Sequence, residues 1–302
     1  MLFSILIANY NNGHFFIDCF KSIINQAYTN WEVIIVDDAS TDNSIDVIRS
    51  LINDNKRFKL YQNEENKGCG FTKQRCAKLA SGQILGFLDS DDALKPNALE
   101  AMILAHKKFE GASIITSKFE LVDLQLNFIK DGVIGSEIPS EKSYLTFGKG
   151  ALTAFATFKN EAYKKTTGID SLMKRAVDQD LYYKIEEQGE HQFLNESLYL
   201  YRINENSISN NNNVYKAEYW QFYAINKAYK RRKKLKLEID NFSKKYMSIY
   251  RSNYYLSRFE KLKFSKKYQA KFYFLGKSFF ANPFHKFEIK FKSFLLLIVG
   301  RI

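Results

Sequence analysis

Glycine-rich phosphate cradles are missing from this 302-residue chain. No G-x-G-x-x-G follows its first apolar run and no G-x-x-x-x-G-K-[ST] occurs anywhere, so dinucleotide-binding and P-loop readings lose their usual support. Long apolar runs are missing too. The C-terminal "FLLLIVG" falls far short of the roughly 18 residues of a membrane span, and "MLFSILIANYNN" has neither the basic flank nor the apolar length of a signal peptide. Cysteine is scarce, at three residues (Cys19, Cys69, Cys76). That odd count without metal-ligand spacing reads as reduced thiols of a cytosolic protein. The four histidines are scattered, and none neighbours a second ligand type at metal spacing.

What is present is globular: 45% hydrophobic and 16% aromatic residues, well above the range of disordered chains. The net charge of +12 hides an asymmetry. Residues 215–302 carry 22 Lys and Arg against 5 Asp and Glu, a net +17; residues 1–214 carry 23 against 28, a net −5. A mildly acidic body with a basic tail suggests two jobs.

The first hundred residues alternate in kind. "FSILIA", "WEVIIVDD", "FKLYQN" and "QILGFLD" are short apolar runs with strand character. "HFFIDCFKSIINQ", "SIDVIRSLIND" and "GFTKQRCAKLAS" between them are helical. This is the βαβ pattern of an α/β fold with a mostly parallel sheet covered on both faces. Beyond residue 110, "ASIITSKFELVD" reads as a pair of strands and "EIPSEKSYLTFGKG" as a loop. "VDQDLYYKIEEQG" reads as a helix ending at Gly189. The polar run "NENSISNNNN", Asn204 to Asn213, is the expected domain boundary. After it, Tyr215, Tyr219, Phe222, Ile225 and Tyr229 mark one amphipathic helix, and Tyr268, Phe272, Leu275 and Phe279 a second.

Ligands of such sheets bind at the carboxyl ends of the strands. There the first strand offers Ala8, Asn9, Tyr10 and Asn11, the second Asp37 and Asp38, and the fourth Asp89, Ser90, Asp91 and Asp92. Helix capping is the plain alternative for Asp42, Ser44 and Asp92, but it leaves Asp37, Asp38, Asp89 and Asp91 unexplained. Without a glycine cradle, an acidic edge repels a diphosphate unless a divalent cation bridges them. Hard oxygen ligands suit Mg²⁺ or Mn²⁺.

Four segments in order, "SILIANYNN", "WEVIIVDDASTDNS", "NKGCGFTKQRCAKLASGQILGFLDSDDALKP" and "VDQDLYYKI", resemble family 2 glycosyltransferases of the GT-A fold across roughly residues 1–210. The resemblance implies a Rossmann-like α/β domain over 1–210, with 1–110 binding the nucleotide sugar and 111–210 facing the acceptor. Residues 211–302 are then a basic helical extension. It implies inverting transfer from a nucleoside-diphosphate donor, a UDP-sugar, to a hydroxyl of a glycan or lipid-linked acceptor in envelope polysaccharide synthesis. Position by position, Ala8 and Tyr10 match the residues around base and ribose, and Asp38 the carboxylate that reads uracil. Lys73 stands near the diphosphate where the family usually has Arg. Asp89 and Asp91 match the D-x-D, Asp91 as the metal ligand, and Asp178 matches the catalytic base. Two positions depart: Val177 replaces the acidic residue before the base, and Asn204 in "YRINENSIS" stands where many members have His.

A charged first helical turn, favourable to the helix dipole, is the ordinary account of Asp178 and Asp180. The resemblance favours catalysis at Asp178 and leaves Asp180 to the dipole. In the tail, "KAYKRRKKLKLEID" and "KFEIKFKSFLLLIVGRI" mix lysine with aromatic and aliphatic residues. A helical pair packed on the catalytic domain with solvated lysines is the ordinary account of most of these charges; such faces also suit an anionic membrane surface, which predicts a cytoplasmic protein peripheral to the membrane. No nucleic-acid-binding signature accompanies the lysines. A nucleotidyltransferase on a similar sheet is the rival enzyme class, but "LIANYNNGHF" lacks its basic, glycine-rich triphosphate loop.

Overall fold

The computed structural model describes residues 1–53, 55–139, 142–147, 155–203, 214–237 and 244–302. It divides into two compact units, Met1–Asn210 and Asn211–Ile302.

In the first unit, β1 (Phe3–Asn9), α1 (Gly13–Ile24), β2 (Trp31–Asp37), α2 (Ser44–Ile52), β3 (Phe58–Gln62), α3 (Cys69–Leu79) and β4 (Ile84–Phe87) follow in strict alternation. These four strands are parallel, in the order β3-β2-β1-β4. Every residue of β2 is buried, as expected of a strand covered on both faces. On α1, Phe16, Cys19 and Ile23 recur at spacings of three and four and join the core with Ile5, Ile7, Val33 and Ile35. β1 and β2 pair from Phe3↔Trp31 to Asn9↔Asp37. Their carboxyl ends are therefore level, and Asn9, Asp37 and the residues after them share one sheet edge.

The second half of the sheet is mixed. It holds β5 (Ala93–Leu94), β6 (Ala112–Val122), β7 (Phe128–Asp131), β8 (Ala156–Lys159) and β9 (Glu190–Arg202), with helices α4 (Ala98–Lys108), α5 (Tyr144–Phe147), α6 (Asn160–Lys164) and α7 (Val177–Glu186). The strand order continues from β4 as β8-β6-β9-β5, with β7 on β6. The stretch expected to be two strands is one, β6, because nothing inside it can turn. The turn comes at residues 123–127, where the Asp123 carboxylate accepts the Gln125 and Asn127 amides. The expected loop "EIPSEKSYLTFGKG" contains α5, whose Tyr144 ring lies 4.6 Å from that of Tyr183 on α7. The long strand β9 had no counterpart in the sequence reading. Its pairing with β6 shifts register near Ser117 and Lys118, so its apolar alternation is broken.

The second unit comprises α8 (Val214–Leu235), α9 (Lys244–Leu262), α10 (Tyr268–Ala281) and α11 (Phe287–Ile298). It has a core of its own: Leu256, Phe259, Leu275, Leu297 and Ile302. Both expected helices exist, but the buried face of α10 is Lys271, Leu275 and Ser278, while Tyr268 and Phe272 are exposed. Lysine goes inside because its ammonium finds main-chain carbonyls at helix ends. Lys271 donates to Lys263 O, and Lys290 donates to Ser278 O and Asn282 O. Of the described helices, none is long and apolar enough to cross a membrane.

Candidate active site

The β1 and β2 ends are locked together by hydrogen bonds. Asp37 is fully buried and accepts from Asn9 Nδ2 at 2.8 Å, Ser40 N at 2.8 Å and Ser40 Oγ at 2.6 Å. Its role is to fix the turn. Asp42, expected as the cap of α2, takes the Ser44 amide at 3.0 Å in the turn before the helix, whose N-cap position is Asn43. Asp38 takes Asn63 Nδ2 at 2.7 Å and the amides of Lys67 and Gly68 at 2.9 and 2.8 Å. Three of a carboxylate's roughly four acceptor positions are then filled, leaving one on Oδ2. Arg75 braces this arrangement by donating to Asn63 Oδ1 at 2.6 Å. Gly68 has a φ of +86°, which suits glycine and brings its amide onto Asp38. Ala8 is half-buried in β1, and Tyr10, just past its end, is exposed.

Gly70 brings α3 against the loop before α7. A Cβ at Gly70 would lie 2.4 Å from Met173 O and 2.6 Å from Asp170 O, so only glycine permits this approach. One turn further on, Lys73 Nζ lies 2.9 Å from Asp178 Oδ1 and 3.3 Å from Asp89 Oδ1. Lys73 is buried over the Phe87 ring, whereas both carboxylates are about half exposed. Burial works to lower the Lys73 pKa, but the charges of Asp178 and Asp89 outweigh it and hold it well above the usual lysine value. One cation thus joins residues of three segments, 105 positions apart at the widest.

The three carboxylates after β4 have three different fates. Asp89 faces Lys73. Asp92, expected as a cap of α4, instead accepts Tyr199 Oη at 2.6 Å and the Arg202 amide at 2.8 Å, tying the loop to β9. Burial, then Asp91 and Asp89, push its pKa well up. The helix start is reached only five residues later, at Asn97, so Asp92 lies too far back to cap it. Asp91 alone of the three makes no ion pair and no hydrogen bond to another side chain among the described residues. Its carboxyl is pushed up to about 6, by burial first and Asp89 second. Its carbonyl is held by Arg202 Nε at 2.6 Å, and Arg202 Nη2 reaches Asp18 at 2.8 Å.

Asp180 stands in the first turn of α7, as the dipole account expects. It is buried, with Lys184 Nζ 2.5 Å from its Oδ2. The structure therefore brings Lys73, Asp89 and Asp178 together, with Asp91 two residues from Asp89, and sets Asp38 apart at the β2 end. Asn204 lies outside the described residues. Sequence reasoning missed Asn63, Tyr199 and Arg202; the "YR" dipeptide was the one available signal for Arg202.

Residues 4–163 match the sequence model described as Glycosyl transferase family 2. The chain belongs to this family. Among similar proteins, a chondroitin synthase of E. coli is 28% identical over 204 residues, which are 66% of this chain and 28% of that protein. The E. coli protein named UDP-Glc:alpha-D-GlcNAc-diphosphoundecaprenol beta-1,3-glucosyltransferase WfgD is 31% identical over 148 residues, 49% of this chain and 54% of its own length. The family 2 chain thus spans less than two thirds of either relative. Residues 1–349 of S. aureus TarS, solved in complex with UDP-GlcNAc, superpose with a TM-score of 0.66 at 17% identity, covering 93% of this chain and 81% of that one. That likeness establishes the GT-A-type fold, an α/β sheet flanked by helices.

Proposed function

We propose that the protein transfers a sugar, with inversion, from a UDP-sugar to a hydroxyl of a glycan or lipid-linked acceptor in bacterial polysaccharide synthesis. The observation that supports this reading is the Lys73 clasp, in which one ammonium meets both Asp89, read here as a donor-side D-x-D residue, and Asp178, read as the acceptor-side carboxylate. Asp38 reads the uracil edge through its remaining acceptor position, with Ala8 and Tyr10 beside base and ribose. Asp178 removes the acceptor hydroxyl's proton as attack develops, and Lys73 orients that carboxylate. UDP-GlcNAc in the TarS complex and the diphosphoundecaprenol-linked acceptor of WfgD support a UDP-sugar donor and a lipid-linked acceptor.

The residues fit a divalent cation. Asp91 is the unengaged carboxylate of a crowded trio, and with Asp89 it offers the hard oxygens that Mg²⁺ or Mn²⁺ prefer. No group of three His, Cys, Asp or Glu side chains among the described residues could hold a metal alone; a cation held by Asp91 and Asp89 would need further oxygens from the donor diphosphate and water. When bound, the ion supplies Lewis-acid neutralisation of the leaving diphosphate.

A donor screen tests the proposal. UDP-, GDP- and dTDP-sugars are incubated with Mn²⁺ and acceptor lysate lipids or oligosaccharides, and released nucleotide is resolved by chromatography. UDP release that Asp91→Asn abolishes without loss of fold is expected. Pyrophosphate release without UDP would identify a nucleotidyltransferase instead.

A further inference from the structure

The second unit leaves a stripe of large apolar side chains in the open. On α11, Phe287, Phe291, Phe294, Leu295 and Ile298 are between 39% and 58% exposed. At about 100° per residue they fall within one arc of about 100°. The opposite flank carries Lys290, Ser293 and Leu297, all buried, which fixes the rotation of the helix. The rings of Phe287 and Phe291 stack at 5.7 Å, so part of the stripe is ordered in advance. Just before α11, Phe280 and Phe284 are 90% and 86% exposed. Large apolar side chains left this exposed on one helical arc point to an interaction site.

Its charge identifies the partner. From Tyr268 to Ile302 the one acidic residue is Glu288. Lys271 and Lys290 are buried on carbonyls, but Lys277, Lys286, Lys292 and Arg301 are exposed. A second copy seated on this face would bring like charges together. An anionic lipid surface meets both requirements, apolar depth and negative headgroups. With 12 residues, α11 can lie in such an interface and cannot span it.

We propose that α11 and the turn before it dock on an anionic bilayer, with Phe287, Phe291 and Phe294 at the acyl boundary and Lys286 and Lys292 among the headgroups. The docking surface is independent of the reaction proposed above. Of the two basic segments suited to such a surface, it places the contact on the second and not on the first, where Arg232 of "KRRKK" (Lys230 to Lys234) is buried at the end of α8.

The full chain is sedimented with phosphatidylglycerol-containing vesicles and with pure phosphatidylcholine vesicles, at low and high salt. Binding that needs phosphatidylglycerol and weakens in salt is expected. Phe287→Ser with Phe291→Ser should weaken it at least about tenfold per ring, and Lys286→Gln with Lys292→Gln about fivefold per charge. Lys230→Gln with Lys234→Gln should change it far less. Unchanged circular dichroism and Tm confirm that the exposed substitutions leave the fold intact. No sedimentation of the wild type, or binding indifferent to both α11 pairs, overturns the proposal. Self-association by ultracentrifugation that the Phe pair abolishes would also overturn it and assign the stripe to a second copy.

Discussion

Asp178 and Asp180 stand two residues apart on α7, about 200° around the helix, and the same substitution should do opposite things at each. Asp180 is 1% exposed and Lys184 3%, with 2.5 Å between them. Asp180→Asn removes the charge and leaves the Lys184 ammonium with Gly168 O, 2.7 Å away, as its remaining partner. Breaking one side of a buried pair costs about 3–5 kcal/mol. For a unit of this size each kcal/mol lowers Tm by about 2–4 °C, so a fall of roughly 6–20 °C is expected. Asp180→Asn with Lys184→Met removes both charges and should recover most of it. Asp178→Asn differs in kind. The side chain is 45% exposed, and Lys73 keeps Asp89 at 3.3 Å. A half-solvated pair contributes at most about 1 kcal/mol, so Tm should move by less than about 4 °C. Turnover should drop by about 10²–10⁴-fold as the base is lost, with the donor KM nearly unchanged. Calorimetry and UDP release, measured on both variants and the double variant, decide the matter. If Asp180→Asn silences turnover at full Tm while Asp178→Asn stays active, the base has been assigned to the wrong face of α7. If the double variant recovers nothing, the buried-pair account of Asp180 is wrong.

Two other perturbations probe the scaffold. Gly70→Ala forces a Cβ onto the Met173 and Asp170 carbonyls; a loss of about 1–3 kcal/mol in denaturant unfolding is expected, with lower kcat because Lys73 moves off Asp178, and unaltered kcat would detach Lys73 from the reaction. His106 is buried against Thr157 Oγ1 at 3.0 Å, and burial, then Lys159, press its pKa down to about 3. The unfolded chain takes up this proton below about 6.5 and the folded chain does not, so the stability is present above that pH and lost as pH falls. Between pH 7 and pH 5 the loss from this residue is about 2 kcal/mol. His106→Gln should show a pH 7-to-5 stability difference smaller by that amount in urea titrations, and an identical slope in both proteins would refute the buried neutral ring.

The first half of the sheet was legible because its signals are local. Each of β1, β2 and β4 is a compact apolar run that stops at polar residues, and the stops become the site. The βαβ spacing then levels them on one edge. What sequence could not show is carried by contacts between distant segments. β9 pairs with β6 across a register shift, and its first half, "EHQFLN", has no clean alternation. The same holds within the site. Asp180 and Asp178 look alike as charges in a first helical turn, and only the buried Lys184 separates them. Lys73 was expected near a diphosphate, but which carboxylates it meets depends on Gly70 letting α3 close on the 169–173 loop.

The crowding of "DSDD" after β4 is resolved unevenly, and the unevenness has chemical content. Asp89 is met by Lys73 from α3, and Asp92 by Tyr199 and the Arg202 amide from β9. Each of these partners is fixed by its own burial, so neither carboxylate is free to shift its role. Asp91 stands between them with its carbonyl pinned by Arg202 and its carboxyl left to burial and to Asp89's charge. A carboxylate with a fixed backbone and no protein cation of its own is costly in the resting protein. An external cation, as proposed above, would offset that cost, because no internal ion pair would have to be broken to receive it. By that argument the scaffold spends its two nearby cations, Lys73 and Arg202, on Asp89, Asp178 and the loop's main chain. On the proposed reading the D-x-D would divide its labour: Asp89 shares Lys73 with Asp178, and Asp91 keeps its carboxylate for a cation.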